Sequence, residues 1–279
     1  MTTYVLTDSL TMLRRSIRRM RRYPSLTFFI AGIPVVLLLL FVYVFGGTLG
    51  AGLGVPGGLG SIGAGTGSAT GAVGRDAYVA YVVPGILLIT VAGAAQGTAI
   101  SVAMDMSAGI IARFRTMSIS RGAVLAGHVI GSVIQTALAT VLVLVIAIVI
   151  GFRPTTGPAS WLAAAGLLAL TAVAVSWLSV ALGMVSDSVE TASNLPMFLV
   201  LLPFLSSGFV PTQSMPGPLG WFAEHQPFTP IIETLRSLLL GTAMGDSGLL
   251  AVAWCAVLSV AGYVWAQRLY ERVPARAGG

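Results

Sequence analysis

The chain alternates long apolar runs with short polar interruptions. Six stretches contain no Asp, Glu or Arg and are long enough to cross a bilayer, at 23–74, 77–104, 122–152, 154–186, 191–223 and 247–267. A spanning helix needs about 20 apolar residues, and a charge at mid-membrane costs at least about 2.5 kcal/mol on insertion scales. The pattern therefore predicts six transmembrane helices, near 26–46, 78–101, 123–151, 159–184, 192–211 and 247–268, in an all-α integral membrane protein. Six spans put both termini on the same side.

Three segments outside the spans have their own patterns. In residues 1–24, Leu6, Leu10, Leu13, Ile17 and Met20 recur at spacings of 4, 3, 4 and 3, one stripe of a helix. Arg14, Arg15, Arg18, Arg19, Arg21 and Arg22 mostly occupy its other faces. Such a helix lies in the membrane interface with its guanidinium groups on headgroup phosphates, and Pro24 ends it. It serves as a topology anchor, as a lever moved by a cytoplasmic partner, or as both. Residues 46–77 form a flexible Gly-rich outer loop, with thirteen Gly in the twenty-nine residues 46–74. Gly52, Gly54 and Gly57 match G-x-G-x-x-G by position, but no strand precedes them and no helix opens after, so the match is rejected.

The third segment, 211–246, is Pro-rich and then turns helical at TPIIETLRSLLLG. Thr229 suits the N-cap and Pro230 the first helical position. Ile231, Ile232, Leu235, Leu238 and Leu239 share a face, Glu233 and Arg236 pair at i, i+3, and Gly241 is the stop. The segment either dips into the outer leaflet and guides substrate outward or is a purely structural re-entrant loop.

Composition excludes a soluble globule. Hydrophobic residues are 56%, charged residues 9%, and mean hydropathy is +0.92, where a soluble domain carries about 25% charged residues. All fifteen basic residues are Arg. Six precede the first span, Arg113, Arg115 and Arg121 lie between the second and third, and Arg268, Arg272 and Arg276 follow the sixth. Only Arg75, Arg153 and Arg236 fall on the other side. By the positive-inside rule both termini are cytoplasmic. The run from Ser25 to Phe45 is too long for a signal-peptide core and no small-residue cleavage pattern follows, so it is read as a retained span. Arg clusters beside apolar runs suit anionic lipid headgroups better than nucleic acid.

The absence of Lys removes the phosphate-binding P-loop and the Schiff base from this chain. Any ATP-driven function must take its ATPase from another polypeptide. The single Cys255 excludes an intrachain disulfide and a multi-Cys metal site. Gln96, His128, Gln135, Ser176, Ser179 and Asn194 are polar at membrane depth, and Gln96, His128, Gln135 and Asn194 are candidates for a translocation path. The predicted spans hold no Asp or Glu, which weighs against a proton relay and favours an amphipathic or lipid-like substrate. Gly93 with Gly97 and Gly127 with Gly131 are G-x-x-x-G pairs, suited to internal packing or to a dimer seam. Ser206 and Ser207 precede Gly208, with His225 nearby in sequence, but nothing positions them as a nucleophile and base. Asp187 and Glu190 are a single acidic pair. No catalytic or metal site is expected.

The inner loop 102–121, VAMDMSAGIIARFRTMSISR, is longer than the roughly 2–8 residues that a helix–helix connection needs. Asp105 can cap a short helix there. Ile110, Ile111 and Phe114 give that helix an apolar side next to Arg113 and Arg115, which suits docking to another protein. The alternative is a solvated loop whose Arg residues only set topology.

Four pieces, in order, resemble the permease subunits of bacterial type-2 ABC exporters, in particular the daunorubicin-resistance permease group. They are YPSLTFFIAGIPVVLLLLFVYVFGG at 23–47, YVVPGI at 81–86, MDMSAGIIARFRTMSISR at 104–121 and FLSSGFVPTQSMPGPLGWFAEHQPFTPIIETLRSLLLG at 204–241. The resemblance implies one transmembrane domain over 1–279 in the bacterial cytoplasmic membrane. It pairs with a second permease, identical or homologous, and binds two cytoplasmic ATPases that carry the ATP and Mg. Asp105, Gly109, Ile110, Arg113, Phe114 and Arg115 would form the coupling helix seated in the ATPase, 1–24 the interfacial helix, and 211–246 the outer re-entrant region. Ser118 and Pro218 depart from the family, which often has Pro and Trp there. The function implied is export of a drug, lipid or polyketide-like substrate. The alternative is a gradient-driven transporter or channel with no ATPase.

Overall fold

A computed structural model describes residues 24–46, 70–109 and 121–272. Every regular element among them is helical. Helix α1, Pro24–Leu40, continues through a π-helical turn at Phe41–Phe45. Helices α2, Thr70–Ser107, α3, Arg121–Ile150, and α4, Pro158–Val185, follow. Then come the short α5, Val189–Asn194, and α6, Met197–Leu201. Helices α7, Gly217–His225, and α8, Phe228–Leu240, precede α9, Ser247–Arg272.

Four helices are long and apolar enough to cross a membrane: Arg75–Ser107, Leu125–Ile150, Pro158–Val185 and Ser247–Arg272. Two shorter apolar helices, Ile30–Phe45 and Val189–Leu205, coincide with the first and fifth predicted spans. The fifth differs from the continuous helix expected at 192–211. Pro196 and Pro203 lack the N–H that a helix interior needs. The chain therefore runs α5, a turn, α6 and a 3₁₀ turn at Leu202–Leu205, then leaves the helix at Ser206.

Helix α2 is the central element. Val82, Val83, Ile86, Leu87, Leu88 and Ile89 are all buried, though they point to every side of the helix, as expected of a helix apolar all round. Its most apolar window is 78% buried against 22% for α9, which places α9 at the periphery. Helices α1, α3, α4, α5 and α8 pack against α2. Outward-facing Leu138, Val141, Val145, Val149, Leu249, Val257 and Val260 are exposed on α3 and α9. So much exposed apolar surface requires a hydrocarbon surround.

Glycine permits close helix contacts at Gly183 and Gly262. A Cβ on Gly183 would stand 2.5 Å from the Ala99 carbonyl oxygen, and one on Gly262 would stand 2.7 Å from the Leu178 nitrogen. Gly93 has nothing within 4 Å, and Gly97 faces only Ile30. Gly127 and Gly131 are buried.

Two expected loops are shorter than predicted. The Gly-rich loop was placed at 46–77, but helix already begins at Thr70, and residues 47–69 lie outside the described residues. In the inner loop 102–121, residues to Ser107 continue α2. Gly109, at φ 67°, then ends it in the left-handed conformation that favours glycine.

Candidate functional site

The break in the fifth apolar segment frees backbone carbonyls inside the bundle, and the following hairpin supplies their donors. Its tip lies at Gln226, between α7 and α8. The Gln226 side-chain amide donates to the carbonyls of Leu202 (3.1 Å) and Leu205 (2.6 Å). From there α8 runs back to the loop 151–157, which caps its end: Thr155 N–H and Oγ1 donate to Leu239 O (3.2 Å) and Leu240 O (2.9 Å). These are carbonyls that a helix C-terminus leaves without intrahelical partners. Gly241 closes α8 at φ 73°. The hairpin is thus joined at its tip to the broken segment and at its far end to the α3–α4 loop.

Helix α8 is more deeply buried than an amphipathic surface helix. Phe228, Ile231, Ile232, Leu235 and Leu239 are buried, as are Thr229, Thr234 and Ser237. Those hydroxyls donate to backbone carbonyls: Thr229 to Ala223 (2.5 Å), Thr234 to Pro230 (2.7 Å) and Ser237 to Thr234 (2.8 Å). The predicted cap at Thr229 is corrected accordingly. The helix starts at Phe228, and the Thr229 hydroxyl bonds backward to α7.

Arg236 lies where α2, α8 and the turn 206–208 meet. Its Nη2 donates to Ser207 O (2.8 Å) and Tyr81 O (3.3 Å), and its guanidinium carbon stands 3.9 Å from the Tyr81 ring centroid. The Tyr81 hydroxyl donates to the same Ser207 carbonyl at 2.9 Å. One turn along α2, a Cβ on Gly85 would meet Gly208 O at 3.0 Å, so the turn sits directly on the helix backbone. The expected Glu233–Arg236 contact pair is therefore corrected. Glu233 is exposed, and no ion pair joins the two among the described residues. A half-buried guanidinium needs nearby acceptors; the carbonyls of Ser207 and Tyr81 serve Nη2, while the buried Nε has no partner among the described residues. The ring of Phe41 in the π turn packs, tilted, against Phe209 at 4.7 Å between centroids, which adds the end of α1 to the junction.

The other candidate residues fall elsewhere. Asp105 belongs to helix α2 itself. It lies in the last turns of α2, buried, with Oδ2 3.3 Å from His128 Nε2 on α3. The span Arg75–Ser107 therefore contains a carboxylate near each end, Asp76 and Asp105, contrary to the expectation that the spans hold none. Gln96 donates to Ser193 O and ties α2 to α5, beside exposed Asn194. Gln135 is half-buried on α3. Gln96, His128 and Gln135 share no hydrogen bond among the described residues. Ser176 and Thr98 both donate to Ser132, at 2.8 and 2.6 Å, which joins α2, α3 and α4. Gly109 is at the turn after α2. Ile110, Arg113, Phe114, Arg115 and the six N-terminal Arg lie outside the described residues. Ser206 Oγ donates to Pro203 O, and His225 Nδ1 to Trp221 O. Neither serves as half of a nucleophile–base pair.

The arrangement is one of packing, capping and anchoring. Sequence spacing pairs Arg236 with Glu233 and gives no sign that Tyr81, Ser207 or Gln226 belongs to such a junction. A lone Arg and a Gln within apolar, Pro-broken sequence were the available signals.

Two comparisons bear on what such a bundle is. A family model described as "ABC-2 type transporter" matches residues 7–240. The chain is 28% identical over 255 residues to the daunorubicin resistance ABC transporter permease protein DrrB1 of Streptomyces coeruleorubidus, covering 90% of this chain and 82% of that protein.

Proposed function

This chain belongs to the ABC-2 type transporter family, and from that premise we propose that it is the membrane subunit of an ATP-driven exporter of apolar or amphipathic molecules. The family match over 7–240 carries the reading. The absence of Lys supports it, since a chain without a P-loop lysine needs a separate ATPase. In this reading the chain crosses the cytoplasmic membrane six times, with both termini and the loop 108–120 in the cytoplasm. It pairs with a second permease and seats two ATPases. The two shorter apolar helices complete the six crossings.

Helix α2 suits the transmission of movement. Its 38 residues extend about 57 Å at 1.5 Å per residue, against a hydrocarbon core of about 30 Å. Its inner end enters the proposed docking loop, and its outer part carries Tyr81 and Gly85 at the Arg236 junction. Closure of the ATPases would push on the loop, tilt α2 and shift the outer hairpin with it. ATP chemistry stays in the partner, and this chain supplies the path.

The test is a mild-detergent pull-down of the tagged chain from its native host, with mass spectrometry of bound proteins. A stoichiometric ATP-binding-cassette ATPase is expected, and Phe114→Ala should reduce its recovery while leaving membrane insertion intact. A chain that purifies alone and shows no ATP-dependent transport in vesicles would sink this reading. It would favour a gradient-driven transporter, for which the Asp105–His128 pair is the natural proton-handling group.

A further inference from the structure

A groove of about 160 Å³ opens between α3 and α4, away from the Arg236 junction. Leu87 of α2 and Leu239 of α8 form its floor, each almost fully buried. Thr136, Thr140 and Trp161 line its sides, and exposed Val141 and Ala165 mark its mouth. The mouth therefore opens on the apolar flank of the bundle. A cavity of about 150 Å³ with apolar walls holds benzene rather than water, so the groove has room for one aryl ring, with more beyond the mouth.

Thr140 distinguishes this groove from a packing gap. Threonines in helices usually bond back to the carbonyl four residues earlier, as Thr90, Thr171 and Thr234 do here at 2.7–2.8 Å. The Thr140 hydroxyl is buried and has no partner. Thr140 lines the groove, so an occupant seated there lies beside its unpaired hydroxyl. A hydrocarbon chain would leave that hydroxyl unsatisfied. An occupant with one carbonyl or hydroxyl would satisfy it.

We propose that the α3–α4 groove is a lateral binding site for a compact, mainly aromatic molecule that enters from the bilayer and engages Thr140 through a single carbonyl or hydroxyl. The inference rests on the permease reading and names the class of substrate it handles. Both walls come from this one chain, so the site needs no partner to be complete.

Benzophenone is a suitable probe, being apolar, diaryl, equipped with one carbonyl and photoreactive. The full chain in phospholipid nanodiscs is irradiated with it, and labelled peptides are identified by mass spectrometry. Labelling is expected to concentrate in 133–144 and 161–172. Thr140→Val, which keeps the shape and removes the donor, should lower it about three- to tenfold, the worth of one hydrogen bond. Ala165→Phe, which narrows the mouth, should abolish it. Protection of Cys255 from a thiol reagent verifies that both variants are folded. Label spread over the exposed faces of α1, α3 and α9 and unchanged by either variant overturns the proposal. Label lost in Ala165→Phe but unchanged in Thr140→Val also overturns it, because the groove then accepts any hydrocarbon, including a lipid acyl chain. The labelling needs no ATPase, so it can fail or succeed independently of the pull-down.

Discussion

Replacing Arg236 with Met removes the group that ties α8 and the turn 206–208 to α2, while keeping a long apolar stem. The loss can be worked from the contacts. A hydrogen bond from a charged donor contributes about 1.5–3 kcal/mol, which fits the 2.8 Å bond to Ser207 O; the 3.3 Å bond to Tyr81 O is weaker. Stacking on the Tyr81 ring adds about 0.5–2 kcal/mol. Against these stands the relief of no longer holding a cation in a largely apolar setting. Ser207 O also keeps its bond from the Tyr81 hydroxyl. The net expectation is a loss of about 2–3 kcal/mol, or a fall in melting temperature of roughly 4–12 °C for a domain of this size. The protein carries its own reporter: Cys255 is the single cysteine, fully buried and 3.4 Å from the Thr171 hydroxyl. A thiol-reactive fluorogenic dye therefore reads unfolding directly. Arg236→Lys keeps the charge but not the planar fork that stacks and donates together, so it should recover only part of the loss. A melting temperature unchanged in Arg236→Met, or fully restored in Arg236→Lys, would show that the junction does not hold the hairpin.

Four further substitutions test the other contacts of the bundle. Gly183→Ala drives a Cβ to 2.5 Å from the Ala99 carbonyl and should cost about 1–3 kcal/mol or more. Gly93→Ala has nothing within 4 Å to meet and should be neutral or stabilise by up to about 1 kcal/mol; equal effects in the same dye assay would refute the close α2–α4 approach. Gln226→Leu leaves the Leu202 and Leu205 carbonyls without that donor, at about 1–3 kcal/mol each, and should speed amide exchange across α7 and the start of α8. Unchanged exchange there would remove Gln226 from the hairpin's support. Asp105→Asn weakens the tie between α2 and α3 at the base of the proposed docking loop. It should lower ATPase recovery in the pull-down without reducing insertion, and undiminished recovery would separate the pair from docking.

The helices were legible because insertion free energy accumulates over a window. Runs without charge such as 122–152 and 154–186 can hardly be anything but buried or lipid-facing helix, and α3 and α4 lie there. Hydropathy suggests a continuous fifth helix because a hydropathy window counts apolar atoms and not backbone donors. Pro196 and Pro203 were visible, yet their weight depends on whether another group satisfies the carbonyls they free. Gln226 does so from more than twenty residues away. Asp105 immediately follows the charge-free run, so hydropathy ends the helix before it, whereas its approach to His128 on α3 accompanies continued helix there.

The same reasoning explains why the Arg236 junction could not be read from sequence. The i, i+3 rule that paired Arg236 with Glu233 describes a solvated helix surface, where the nearest opposite charge wins. Once α8 is buried, two carbonyls and a ring lie closer than water, and their summed attraction exceeds that of an exposed carboxylate whose field is screened. Those acceptors are backbone atoms of Tyr81 and Ser207, which carry no side-chain signature and stand 155 and 29 residues from Arg236. What the sequence does show is the conflict itself, an arginine in a segment whose hydroxyls and aliphatic side chains all suit burial. In a membrane protein such a conflict marks a place where the backbone must leave regular helix to supply acceptors, and here the chain does so at the turn 206–208.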